Sequence, residues 1–526
     1  MRLPGPRRHW RIALLLALLP VHPDIRHSQA HAEQPVDAPP YRPNMLLIVC
    51  DDLGGGLLGI DGDPRAATPR LDTLAGQGVR FDHAYCNAPV CTASRASFIT
   101  GRMPHAVGVT QLITPLPESV VTLGDWLGDL GYDTAAYGKM HFNSNLTHGF
   151  SHRLDTADWA RDLNARRPGA TQALKPFRPF NDPAPVWLNA AIEPVDLPGA
   201  DMESTYIADR AIEFLRARRK KGDQTLDEGP DKPKPFALVV SIQQPHSPFK
   251  FPRDWPRRMK PDQFNVPAVS EADLRDQPKV FSKLTDDEKR RIMASYYTAL
   301  SYADDQVGRL IDALDDAGLG RDTVVAFVGD NGYMLGQHGR FEKHCSFEPA
   351  IRVPLLVRWP GHLKPGVRVN PLVELVDLFP TLTDLAGLPD PPDLHGKSLV
   401  PLLRVLPDAE GRAFIVSEYT ENEEAVVRTQ RFKLVVGTGR RQRQDGYATG
   451  RPLPGPYEHL FNMRDDPDET HDLIDDPAAT PARDRLRRAL FDRMATTRGN
   501  APPIPEGLSE MDAIRWCLVP RDHREP

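Results

Sequence analysis

The stretch NMLLIVCDDLGGG, residues 44–56, constrains this chain more than any other. The run from Met45 to Cys50 is apolar without a break, so it has no polar face to turn to water. Such a run suits a strand covered on both sides, as in a parallel sheet. It stops on two adjacent carboxylates, Asp51 and Asp52, with glycines close behind. Acids at the carboxyl end of a buried strand sit where open α/β sheets gather their ligands.

Further strand-like runs are Thr134–Tyr137, Phe236–Ile242, Val324–Val328 and Val353–Val357. Helical patterns lie between them. TPRLDTLAGQG reads as a helix with Thr68 as N-cap and Pro69 at its first position. RIMASYYTALSYADDQVGRLIDALDDAG keeps its apolar residues on the 3.6-residue period. Strands alternating with helices predict a large, mostly parallel sheet sandwiched by helices. Past residue 400 the pattern changes. AFIVSEY, AVVRTQ, FKLVVG and EHLFNM are short strands that predict an antiparallel sheet, and ARDRLRRALFDRMATTRG follows as a helix. The organisation expected is a catalytic domain over 33–400 and a smaller α+β subdomain over 401–526.

Residues 1–32 read as a removable leader. Arg2, Arg7, Arg8 and Arg11 make a basic start, Ile12–Val21 is apolar, and Ala30-His31-Ala32 fits a small-x-small cleavage site. A membrane-spanning helix would need roughly 20 apolar residues, which the run does not reach. Export to the periplasm or medium is therefore expected, with Arg7-Arg8 hinting at a twin-arginine route. The formal charge of −6 argues against a nucleic-acid partner.

Polar motifs follow four of the strands: Asp51-Asp52, Gly138-Lys139-Met140-His141, Gln244-Pro245-His246-Ser247-Pro248 and Gly329-Asp330-Asn331-Gly332. Each alone is as readily a turn, a helix cap or a solvated loop. Together, at strand ends of one sheet, they point to a site. Asp51, Asp52, Asp330 and the Asn331 amide are hard oxygen donors suited to Ca²⁺ or Mg²⁺, and the cluster lacks the several His or Cys ligands zinc prefers. Lys139, His141, His246 and Lys343 add cationic donors, so the pocket suits an anionic group. Arg95 has a plainer alternative as a structural ion-pair partner, and His141 as a satisfied core histidine.

APVCTASRASFITGR, residues 88–102, sets a cysteine four residues before an arginine at the start of a short helix that stops at Gly101. Cys91 is open to four readings: a buried thiol, half of a disulfide with Cys86, a thiolate nucleophile, or a precursor. The chain has five cysteines, Cys50, Cys86, Cys91, Cys345 and Cys517, so internal pairing leaves at least one thiol over.

Cys91-Thr92-Ala93-Ser94-Arg95 followed by ASFITGR resembles the C-x-[P/A]-x-R signature of the formylglycine-dependent (type I) sulfatases of the alkaline phosphatase superfamily, with Ala93 where proline is commoner. RPNMLLIVCDDLG, GKMHF, QQPHSPF, VGDNGYMLGQHGRFEK, RVPLLVRWPG, VDLFPTLTDLAGL and RDDPDETHDL are similar to further motifs of that family. Asn331 stands where some relatives carry histidine. The resemblance implies an alkaline-phosphatase-like fold and a maturation enzyme that oxidises Cys91 to Cα-formylglycine. It also implies one Ca²⁺ per subunit held by Asp51, Asp52, Asp330, Asn331 and the oxygen of residue 91. Arg95 and Lys139 would orient the hydrated aldehyde and the sulfate. His141 would serve the elimination step, and His246 and Lys343 the leaving group. A serine could accept the sulfuryl group but would keep it as a stable ester, whereas a geminal diol can release it by elimination.

The substrate expected is a sulfated carbohydrate, with an aryl or choline sulfate as alternative, since some motifs look like those of iduronate-2-sulfatase-like proteins and others like choline-sulfatase relatives. A phosphonate or phosphate ester hydrolase, or a non-catalytic binder of sulfated glycans, are the rival functions. Asn143–Phe150 and Asp155–Trp187 are the candidate substrate-reading loops.

Overall fold

The computed structural model describes residues 42–173, 181–219, 234–441, 447–499 and 501–522. The expected leader lies outside them, as do residues 174–180 of the second candidate substrate loop. Among the described residues no helix is long and apolar enough to cross a membrane.

The apolar runs become strands at or near their expected bounds. They are β1 (Asn44–Asp51), β2 (Val79–Tyr85), β3 (Asp133–Gly138), β4 (His152–Leu154), β5 (Phe236–Pro245), β6 (Thr323–Gly329), β7 (Arg352–Arg358) and β8 (Val367–Glu374). They form one sheet in the order β4-β3-β5-β1-β6-β7-β2-β8. Only β7 runs against its neighbours β6 and β2; the other pairings are parallel. β1 is central and buried along its whole length. Met45, Leu47 and Val49 face one core, while Leu46, Ile48 and Cys50 face the other. That two-sided burial is why the run carries no polar residue before Asp51.

The second core is closed by the helix Asp286–Asp316, the longest described. It also caps another helix. In α1 (Pro69–Gly76), Thr68 stands at the N-cap position but makes no side-chain cap bond. Its hydroxyl is engaged elsewhere, by the Gly59 N–H at 2.9 Å and by Asp72 at 3.2 Å. The carboxylate of Asp304, buried in the long helix, accepts the Leu71 N–H at 2.8 Å and the Arg70 N–H at 3.1 Å instead. Burial pushes the Asp304 carboxyl up to about 6.

β9 (Ile415–Tyr419), β10 (Glu424–Arg428), β11 (Phe432–Gly437) and β12 (Tyr457–Asn462) form a separate antiparallel sheet. Its alternation divides between two cores. Ile415, Val426, Val435 and Phe461 join the core of the large sheet, while Val416, Val427, Leu434 and Leu460 meet the helix Thr480–Thr496. The small sheet is thus buried on both faces. A further helix, Glu510–Cys517, packs there and had no counterpart among the sequence expectations.

Asp304→Ala should lower the unfolding free energy by about 1–3 kcal/mol, since it strips a buried cap from two N–H donors. Asp304→Asn keeps an acceptor and should lose less. Denaturant unfolding of the three proteins checks the order, and an Asp304→Ala midpoint equal to that of wild type would contradict it.

Candidate active site

Parallel pairing brings the four motifs to one edge. Cys50 of β1 lies opposite Gly329 of β6, so Asp51 and Asp330 leave adjacent strands side by side. β5 flanks β1 on its other side and ends at Pro245, just before His246. β3 pairs Gly138 with Ser241 and so delivers Lys139 and His141. A side chain at 138 is excluded: Gly138 has φ +92°, and a Cβ there would lie 2.0 Å from the Ser241 carbonyl oxygen. β2 runs the same way and leads to α2 (Cys91–Thr100), which starts at Cys91, is buried throughout and ends at Gly101 with φ +67°.

Arg95, on the second turn of α2, is fixed among acids. Its Nε donates to Asp330 Oδ2 at 2.7 Å, and Nη1 donates to Ser241 Oγ at 2.9 Å and to the Lys139 carbonyl. Nη2 is 3.9 Å from Asp51 Oδ1. The other oxygen of Asp330 accepts the N–H groups of Asp52 at 3.0 Å and Asn331 at 2.9 Å. Lys139 Nζ donates to Asp51 Oδ2. Lys343 Nζ donates to Asp52 Oδ1 and to Cys91 Sγ, both at 2.6 Å. The thiol of Cys91 is 3.2 Å from Asp51 Oδ1. His246 Nε2 is 3.8 Å from Asp52 Oδ2, while its Nδ1 donates to the Ser247 carbonyl at 2.6 Å, which sets the tautomer. Asp51, Asp52, Cys91 and His246 each bring a ligand atom within 4.8 Å of the others.

Burial works against every charge here, and the neighbours decide the outcome. Burial would raise the Asp51 carboxyl, but Lys139, His246, Lys343 and Arg95 hold it well below the usual range. Asp330 goes the other way, pushed up to about 6 by burial and by Asp51. Burial, with Asp51 beside it, raises the Cys91 thiol well above its ordinary value. An unmodified Cys91 is therefore a neutral thiol rather than a poised thiolate. Burial lowers His141 to about 2, helped by Lys139 and Arg95, and lowers His246 to about 4 against the pull of Asp52.

All ten expected site residues meet at this edge. Arg95 is an ion-pair partner as its plainer alternative had it, yet the acid it pairs is a member of the cluster. His141 departs from the core-histidine alternative: its buried Nδ1 has no hydrogen-bond partner, and its φ is +59°. Asp52, at φ +65°, is a second non-glycine residue in the left-handed region. Such backbone gathers at functional sites. All five cysteines are free, so the Cys86–Cys91 disulfide is not formed. His338 lies away from the cluster, bonded to Asp273 at 2.6 Å and stacked on Phe347. Sequence reasoning missed Ser241, whose hydroxyl interrupts the apolar run of β5, and Tyr296, which donates to the Asp52 carbonyl at 2.7 Å.

The donor set fits a hard cation. Asn331 Nδ2 donates to Asp52 Oδ1 at 2.8 Å and the Gly332 carbonyl at 2.9 Å, while its buried Oδ1 has no partner. A buried carbonyl oxygen left unpaired among three carboxylates is a position a Ca²⁺-type ion would satisfy.

Residues 43–388 match the family described as Sulfatase, and residues 336–496 match N-sulphoglucosamine sulphohydrolase, C-terminal. The chain is 28% identical over 501 residues to a choline-sulfatase of Rhizobium meliloti (strain 1021), covering 91% of each. It is 28% identical over 439 residues to an iduronate 2-sulfatase of Mus musculus, covering 74% of this chain and 76% of the relative. Its fold is similar to that of a phosphonate monoester hydrolase of Agrobacterium radiobacter, with a TM-score of 0.70 at 24% identity, covering 87% of this chain and 96% of that one.

Arg95→Ala should destabilise the protein by about 3–5 kcal/mol, because it leaves the buried Asp330 without its cation. Adding Asp330→Asn should return part of that loss, since the two groups are coupled. Denaturant unfolding of the singles and the double checks this; strictly additive losses would contradict it.

Proposed function

The chain belongs to the sulfatase family, and from that premise we propose that it hydrolyses a sulfate ester through an oxidised form of Cys91 and a Ca²⁺ held by Asp51, Asp52, Asp330 and Asn331. The observation that carries the reading is the setting of Cys91: at the start of a buried helix, 2.6 Å from Lys343 Nζ and 3.2 Å from Asp51, with its thiol held neutral. A neutral thiol in a cationic, oxygen-lined pocket is badly placed to attack an anionic ester, which favours Cys91 as a precursor. Oxidised to formylglycine by a maturation enzyme and hydrated, residue 91 supplies one hydroxyl to take the sulfuryl group and a second whose ionisation lets it go. Bound Ca²⁺ would supply positive charge that draws sulfate oxygens and favours the ionised nucleophile.

The side chains have separable roles in this reading. Lys343, in contact with Cys91, and Lys139, bonded to the Asp51 that Cys91 also approaches, would hold sulfate oxygens once cation binding frees them from Asp52 and Asp51. Arg95 keeps Asp330 ionised and fixed. His141, neutral with an unpartnered Nδ1, would accept the proton of the second hydroxyl. His246 has its Nδ1–H committed to Ser247, so Nε2 faces the site and, protonated beside a bound anion, would donate to the departing alcohol oxygen.

For the alcohol, a sulfated saccharide is the reading we favour. It is supported by the match to N-sulphoglucosamine sulphohydrolase, C-terminal, and by the likeness to an iduronate 2-sulfatase. The likeness to a choline-sulfatase favours the alternative of a small sulfate ester. Export through the leader 1–32 belongs to the same proposal, because it would carry the enzyme to polysaccharides.

Three outcomes are expected. Chelation should lower turnover and thermal midpoint together, and Ca²⁺ should restore both; ligand at 100 times its Kd stabilises by about 2.7 kcal/mol. Full turnover after exhaustive chelation, or rescue by Zn²⁺ alone, would refute the ion assignment. Cys91→Ser should keep the fold but lose turnover by several orders of magnitude. Across sulfated saccharides, aryl sulfate, choline sulfate and a phosphonate monoester, kcat/KM should be highest for a saccharide. A higher value for the phosphonate would overturn the sulfatase reading in favour of its rival.

A further inference from the structure

Beside the cluster, a short turn is clamped from far along the chain. The carboxylate of Asp522 accepts the Thr110 N–H at 3.0 Å and the Gln111 N–H at 3.1 Å. It also accepts the hydroxyls of Thr110 and Thr114 and the Gln111 side-chain amide at 3.3 Å. Converging donors on one carboxylate make a strong, directional lock. The carbonyls of the same turn accept bonds from residues close in sequence to Cys91 and His141. Leu112 O accepts Thr92 Oγ1 at 2.6 Å, one residue past Cys91, and Asn143 Nδ2 at 2.9 Å, two residues past His141. Thr114 O accepts Asn143 Nδ2 at 3.1 Å. Leu112 packs against Val90, Ala93 and Tyr419. Ile113, between these anchors, is 83% exposed, the most exposed large hydrophobic side chain among the described residues.

An isoleucine presented to water on an immobilised turn gains nothing for the fold. A lone exposed apolar side chain is ordinary on a protein surface, but this one stands on a turn anchored to residues close in sequence to Cys91 and His141, and ligand sites are lined largely by apolar side chains. We propose that Asp522 is a positioning residue for substrate: it clamps the turn Thr110–Thr114 so that Ile113 forms an apolar rim against the alcohol half of the ester. The inference rests on the sulfatase reading above for the nature of that ester. The clamp fixes the rim before substrate arrives, so binding need not order it. Its loss affects ground-state binding more than the chemical step.

The test joins two readouts on Asp522→Ala, Ile113→Ala, the double variant and Asp522→Asn, which keeps an acceptor. Without substrate, Asp522→Ala should speed amide exchange at 110–114 by about tenfold or more, while Ile113→Ala leaves it unchanged. With the best ester of the panel, each single should raise KM by about fivefold, with a smaller change in kcat. The double should be no worse than the worse single, because a loosened turn no longer presents Ile113. Asp522→Asn should fall between wild type and Asp522→Ala. Unchanged exchange in Asp522→Ala, additive KM effects, or a loss confined to kcat would overturn the inference while leaving an active wild type and the sulfatase reading intact. A wild type that carries the aldehyde and turns over no ester would overturn the sulfatase reading and the rim together, with the exchange data still deciding the clamp.

Discussion

The structure turns on a balance of buried charge. Asp51, Asp52 and Asp330 are fully or almost fully buried, and Arg95, Lys139 and Lys343 are spent holding them. Taking ions out of water costs several kcal/mol each, so such a set persists only when every member is paired and hydrogen-bonded. Arg95 does the most to meet that condition, reaching Asp330, Asp51, Ser241 and the Lys139 carbonyl at once. Arg95 Nη2, Asn331 Oδ1 and His141 Nδ1 are left without hydrogen-bond partners, and a cation and a proton-transfer step would supply a use for the last two.

The sheet makes that balance possible. Four adjacent strands, β3, β5, β1 and β6, are parallel and end on the same side, so residues from four distant stretches converge without a long loop. β2, from the far half of the sheet, brings α2 and its cysteine to the same edge. The small sheet reaches this region through Tyr419, which packs with Val90 and Ala93 next to Cys91. The two sheets thus share a core, and the small one packs beside the start of the helix that carries Cys91.

Much of this was legible in the sequence because its signal is local. An apolar run ending on Asp51-Asp52 declares both a doubly covered strand and a charged strand end, and the same grammar recurs at Lys139, His246 and Asp330. The short, closely spaced strands β9 to β12 announced antiparallel pairing, though not that both faces are covered, because each face finds its partner far along the chain. What escaped was long-range. Asp304 caps α1 from 234 residues beyond Arg70, so no window around Thr68 contains the reason its own hydroxyl is free to bond elsewhere. Tyr296 meets Asp52 across 244 residues, and Asp522 meets Thr110 across 412. Lys343 proves central, since its ammonium joins Asp52 to Cys91.

The central claim is that residue 91 works as an aldehyde-derived nucleophile inside this charged cage. The most direct test is peptide mass analysis at residue 91 on preparations of graded sulfate-ester turnover. The account predicts a peptide about 18 Da lighter than the thiol form, captured by hydrazide, in proportion to activity. Fully active protein carrying Cys91 only as an unmodified thiol would contradict it.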